Sequence, residues 1–167
     1  MLPMRTPVPA EAPVLTSTVT GSFVVLGPVT DGIARLRRAL EELGHSVELH
    51  EEPWRGVARA LASEVDVVIL GREADEGCPT ELCASLRSRP QTRDLLLVVV
   101  GARGEILDRV EAWRAGASEV LDPELPREEL DARVQALLRA RQHARDARAE
   151  AQRLQILLDS LTDAVLV

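Results

Sequence analysis

Five short apolar runs alternate with segments of helical periodicity, and this rhythm constrains the fold more than any other feature of the chain. The runs are SFVVL at 22–26, Val47 and Leu49 within SVELH, VDVVIL at 65–70, LLLVVV at 95–100, and Val120-Leu121. The first helical segment has Asp31 as candidate N-cap, Ile33, Leu36, Leu40 and Leu43 at helical spacing, and Gly44 at the C′ position. A short helix starts at Pro53 and runs through Val57 and Leu61. Another carries Leu82, Cys83 and Leu86 and is ended by Pro90. Residues 104–115 read as a helix with Leu107, Val110 and Trp113 on one face, and Pro123 and Pro126 lead into a long final helix. Strand–helix alternation of this kind gives parallel strands joined by helical crossovers, with both sheet faces covered. Continuous apolar runs such as 95–100 fit strands buried on both sides.

With right-handed crossovers, the expected architecture is α/β: a flavodoxin-like, doubly wound, five-stranded parallel sheet of order 2-1-3-4-5. Ligands and chemistry in such folds sit at the C-terminal strand ends, near the switch point between strands one and three. At the end of the third run that position is Gly71, which has no side chain.

Composition removes several functions. A net charge of −7 and 2% aromatic residues argue against nucleic-acid binding, which calls for basic patches and stacking platforms. Every cationic side chain apart from the histidines is arginine, so no phosphate-loop lysine or Schiff-base lysine exists. LGPV at 26–29 lacks a Gly-x-Gly-x-x-Gly phosphate loop,. Cys78 and Cys83 match no zinc or redox spacing, His45, His50 and His143 are scattered, and no cofactor or metal is expected. No apolar run reaches the length of a membrane helix, and no signal peptide is apparent. A cytoplasmic chain is expected. Residues 1–19, with Pro3, Pro7, Pro9 and Pro13, read as a flexible leader,.

GASEVLDPELPREELDARVQALLRAR, from Gly116 to Arg141, resembles the end of the receiver domain of two-component response regulators: Gly-Ala, a short strand, Lys-Pro, and a leucine-bearing last helix. Asp66 followed by an apolar tripeptide resembles the approach to that family's phosphorylated strand. The resemblance covers roughly residues 21–140. It implies a domain that takes a phosphoryl group from a histidine kinase onto an Asp. That chemistry needs a carboxylate nucleophile, two acids for Mg²⁺, a hydroxyl and a lysine.

Carried over by position, the nucleophile falls on Gly71, the acidic pair on Gly27 and Pro28, the hydroxyl on Gly101 (with Ala102 next), and the lysine on Asp122. None has the required chemistry, which points to a pseudo-receiver with no catalysis of its own. Asp31, Glu73 and Asp75 are candidate substitute acids at the same rim, and Gly27, Gly71 and Gly101 together could open a ligand pocket there. A small-ligand-binding flavodoxin-like domain and a receiver using an unconventional acidic site are therefore the alternatives.

The last helix does not stop at the domain edge. Leu137, Ala140, Ala144, Ala147, Ala151, Leu154, Leu158, Leu161 and Val165 follow spacings of three and four, a seam for a coiled coil,. Arg139, Arg141, Arg145, Arg148, Asp146 and Glu150 read as solvated outer faces. The expected organisation is a domain at 20–140, a signalling coiled-coil helix at 141–160 forming a homodimer, and at 161–167 the start of a following domain. LLDSLTDAVLV resembles the junction into a PAS sensor domain, with 164–167 as the beginning of a strand, and the longer protein is a candidate histidine kinase. Other signalling proteins are the expected partners, with Ile106, Val110 and Trp113 as a docking surface. No nucleic acid or membrane partner is expected.

Overall fold

The computed structural model describes residues 19–61, 65–71, 79–92, 95–101 and 106–165, with side chains described for all of these except 106–108 and 161–165. The strands are β1 (Ser22–Leu26), β2 (Ser46–His50), β3 (Val67–Gly71), β4 (Leu96–Val100) and β5 (Glu119–Leu121). The helices are α1 (Asp31–Glu42), α2 (Pro53–Ala60), α3 (Pro79–Ser88), α4 (Ile106–Arg114) and α5 (Arg127–Val165), with a 3₁₀ turn at Pro90–Thr92. The sheet is parallel throughout, in the order β2-β1-β3-β4-β5.

Strand alternation divides the core into two layers. Val24, Leu26, Val68, Leu70, Leu97 and Val99 meet α2, α3 and Ala112 of α4 on one face. Phe23, Val25, Val67, Ile69, Val98 and Val100 meet Ile33, Leu36 and Leu40 of α1 and Leu130, Val134 and Leu138 of α5 on the other. Strands clothed on both sides need no polar face, which is why β1, β3 and β4 read as unbroken apolar runs. β2, at the sheet edge, keeps its alternation and is only partly buried.

Several sequence expectations shift. The α1 N-cap is Thr30, whose hydroxyl accepts a bond from Ile33 N–H at 3.2 Å. Asp31 is instead in the first helical turn, where an acid suits the helix dipole,. Gly44 adopts the expected left-handed C′ conformation at φ +88°,. Among the described α4 side chains the buried one is Ala112, while Val110 is half-buried and Trp113 is 51% exposed; the Ile106 and Leu107 side chains lie outside the described residues. The third strand begins at Val67; just before it the Asp66 N–H donates to the Ser22 carbonyl and the Val65 carbonyl accepts from Arg141 Nη2.

α5 is 39 residues long, about 58 Å at 1.5 Å per residue. It stays helical through Val165, so Ala164 and Val165 are not strand as expected. The expected leader and Leu166-Val167 lie outside the described residues, apart from Val19.

Candidate functional site: the C-terminal rim and the projecting helix

Among the described residues, the C-terminal ends of β1 and β3 meet backbone and hydrocarbon. Gly27 leaves β1 at φ +128° and donates its N–H to the His50 carbonyl at 3.0 Å. A Cβ at Gly27 would stand 3.0 Å from the Gly71 carbonyl oxygen, so the two strand ends approach as only glycine permits,. A Cβ on Gly71 would stand 3.2 Å from Cδ1 and 3.4 Å from Cγ1 of Ile33. Ile33 comes from the first turn of α1 and is 3% exposed. One residue earlier, Gly32 lies so close to Pro123 that a Cβ there would come within 2.7 Å of the proline ring. The β5–α5 turn is thereby drawn against α1. Gly27 and Gly71 thus lie against one another at the described part of the rim, and residues 72–78 and 102–105, which follow β3 and β4, lie outside the described residues.

The remaining rim positions are also occupied structurally. Gly101 is half-buried and its N–H points to the Leu121 carbonyl at 3.4 Å. Asp122 Oδ1 accepts the Glu124 N–H at 2.8 Å and its carbonyl accepts the Leu125 N–H at 3.2 Å, so this acid shapes the turn before α5. Pro28 is half-buried and Asp31 is exposed on the outer side of α1. Ala102, Glu73, Asp75 and Cys78 lie outside the described residues. No group of three or more His, Cys, Asp or Glu side chains arranged to hold a metal occurs among the described residues. Cys83 is a free, buried thiol, and burial pushes its pKa up.

At the opposite end of the sheet, α5 leaves the domain. Leu137 packs on the α1/α5 core layer, so the first residue of the expected seam belongs partly to the fold. Beyond it Ala140, Ala144, Ala147, Ala151, Leu154 and Leu158 are exposed, Leu154 at 53% and Leu158 at 58%. Ile156 and Leu157, which the seam did not include, are exposed too. The Leu161 side chain lies outside the described set. Arg141 is not the solvated residue expected, its side chain being 10% exposed, whereas Arg145 is exposed as expected; both reach Asp66, with Nε and Nη1 at 3.3 and 2.9 Å from its Oδ1. Their signal in the sequence was the continuation of the Val134–Leu138 spacing by two charged residues, which reads equally well as a wet face.

No protein-family model matches the chain. Among curated proteins, it is 34% identical over 131 residues to response regulator MprA of Mycobacterium avium (strain 104), covering 78% of this chain and 57% of that protein. Among solved structures, it superposes on a putative response regulator from Chloroflexus aurantiacus J-10-fl with a TM-score of 0.63 and 20% identity, over 72% of this chain and 98% of that one. The signal receiver domain of a signal transduction histidine kinase from Syntrophus aciditrophicus gives 0.62 and 20%, over 72% and 91%.

The folded body of this chain is a response-regulator receiver domain.

The chain spans a little over half the length of the MprA relative, so the comparison speaks for the receiver domain rather than for a whole regulator. Within this receiver domain Gly27 and Pro28 offer no carboxylate to a Mg²⁺ ion, and a side chain at Gly27 would press on the Gly71 carbonyl at a strained φ of +128°,. Among the described residues, no helix is long and apolar enough to cross a membrane.

Proposed function

We propose that this receiver domain is not phosphorylatable, and that it is a non-enzymatic regulatory and dimerisation module of a two-component signalling protein. It works by protein–protein contact and transmits through the coiled coil formed by α5. The observation that carries this reading is Ile33, whose side chain stands against the Gly71 backbone where a receiver's reactive carboxylate would need space. A phosphoryl acceptor needs a nucleophile with cationic groups around it. Here the corresponding neighbours are Pro28, Gly101 and Asp122, and the chain has no lysine. The input is then a contact or the state of the dimer rather than aspartyl phosphate on this domain.

The output side is α5. A helix with exposed Ala144, Ala147, Ala151, Leu154 and Leu158 in a three-four pattern gains by pairing with a second copy,. Its resemblance at 157–167 to a PAS junction suits a longer cytoplasmic protein of the histidine-kinase type. Half-buried Val110 and exposed Trp113 on α4 offer a docking surface for another signalling protein.

Two measurements test the reading. Incubation with a small phosphodonor and Mg²⁺, followed by intact mass, is expected to give no adduct; a stoichiometric phosphoryl adduct overturns it. Light scattering is expected to give a dimer for the whole chain and a monomer for a chain ending at Arg141. A monomeric whole chain removes the coiled coil.

A further inference from the structure

Val134, Leu138, Arg141 and Arg145 follow one another at spacings of four, three and four, so they form a single stripe along α5,. The first two are buried in the domain. The next two continue the same stripe past the sheet edge and end on one carboxylate. Asp66 Oδ1 is 2.9 Å from Arg145 Nη1 and 3.3 Å from Arg141 Nε. Asp66 Oδ2 accepts the Ser22 N–H at 3.0 Å, and the Asp66 N–H donates to the Ser22 carbonyl at 2.9 Å. Arg141 Nη2 also donates to the Val65 carbonyl at 2.7 Å. The Arg141 and Asp66 side chains are only 10% and 18% exposed, while Arg145 is 45% exposed. One acid thus ties the starts of β1 and β3 to a helix that would otherwise leave the body just after Leu138.

We propose that Asp66, Arg141 and Arg145 form a polar joint that fixes the direction in which α5 leaves the receiver body. The inference rests on the reading of α5 as the output element. About 40 Å of helix lies beyond Leu138, so a tilt of about 10° at the joint moves the far end by roughly 7 Å. Apolar packing alone stops at Leu138, and the joint extends the hold by nearly two turns.

The joint is compatible with a paired α5. Ala140 and Ala144 each precede a joint arginine by one residue, which places the seam about 100° around the helix from the stripe. The body can therefore grip one side of α5 while a second copy occupies another. The joint is also uneven: Arg141 is the sheltered half, and Arg145 is the half that solvent or an acidic partner group reaches.

The test measures the distance between body and helix within one chain. Spin labels are placed at Ser88→Cys and Arg153→Cys, with Cys78→Ser, and the labelled chain is diluted into unlabelled protein. Cys83 is buried with a raised thiol pKa and stays unlabelled. The parent is expected to give one narrow distance distribution. Asp66→Asn keeps an acceptor for Ser22 but loses the charge, and Arg145→Gln removes only the outer half. Each is expected to broaden the distribution at least about twofold, whereas Gln142→Ala, which removes a bond within the helix to Asp146, leaves it unchanged. An unchanged width in Asp66→Asn and Arg145→Gln overturns the joint, and so does equal broadening in all three, which means general fraying. Because Arg145 is partly exposed, its variant decides the matter if Asp66→Asn fails to fold. Light scattering on the same samples reports separately on dimerisation: a monomer with the predicted broadening sinks the coiled coil and leaves the joint standing.

Discussion

Ile33 Cδ1 lies 3.2 Å from where a Cβ on Gly71 would stand, so a residue of α1 packs against the C-terminal end of β3. Ile33 is buried in the same layer as Val25 and Ile69, and its burial stabilises the fold by about 2 kcal/mol,. Restoring an acid at position 71 therefore competes with packing.

Gly71→Asp alone is expected to lower the unfolding free energy by about 2 kcal/mol, because it sets a carboxylate against hydrocarbon with no described cation beside it. It is expected not to restore phosphorylation. Urea denaturation and intact mass after phosphodonor treatment check the two parts. Adding Ile33→Ala should relieve the steric component of the loss relative to Ile33→Ala alone. Gly71→Asp as stable as the parent would show that the rim has room.

Gly27→Ala and Gly44→Ala both place a side chain at positive φ, at +128° and +88°. A Cβ at Gly44 meets nothing within 4 Å, whereas at Gly27 it presses on the Gly71 carbonyl. Gly44→Ala is expected to cost about 1 kcal/mol from backbone strain alone. Gly27→Ala should cost clearly more, by the added collision. Equal losses in parallel denaturant titrations would refute the close approach of the two strand ends.

His45 is expected to give the domain a pH-dependent stability. Its ring is buried against Phe23, and its Nδ1 accepts the Gly21 N–H at 3.1 Å. Desolvation lowers its pKa below 6.5, and the negative charge of Asp131 on α5 opposes this only in part. Since the folded pKa lies below the unfolded one, the unfolded chain takes up a proton first as pH falls. Stability is expected to be at its full value above about pH 6.5, to decline below it, and to level off beneath the lowered folded pKa. His45→Gln should flatten this part of the profile. The check is unfolding free energy against pH, and an identical slope in the variant would remove His45 as its source.

Leu154→Asn with Leu158→Asn should convert a dimer to a monomer in light scattering while leaving the melting of the domain unchanged, since both side chains are more than half exposed. Leu137→Asn should instead destabilise the domain by about 1–3 kcal/mol, because Leu137 packs on the core,. If the double variant remains dimeric, the association runs through another surface.

Trp113→Ala tests the α4 surface. With Trp113 at 51% exposure, the substitution should change stability by about 0.5 kcal/mol or less. It should still weaken any complex that docks on α4, measured by titration with a captured signalling partner. A large stability loss would make Trp113 a core residue.

The sequence by itself determined the sheet, because unbroken apolar runs between helical segments leave few arrangements that bury both faces. It also determined the residue types at the positions carried over from the receiver resemblance, Gly27, Pro28, Gly71, Gly101 and Asp122, in a chain with no lysine. Only the tertiary structure decided what stands next to Gly27 and Gly71. The approach of Ile33 to Gly71 and of Gly27 to the Gly71 carbonyl depends on where α1 lands relative to β3, which local periodicity does not encode. The same holds for Asp66, Arg141 and Arg145. Along the chain they are an acid before a strand and two arginines on a polar helix face. Folding brings residues nearly eighty positions apart within 3 Å, and that distance, rather than residue type, separates a solvated charge from a joint.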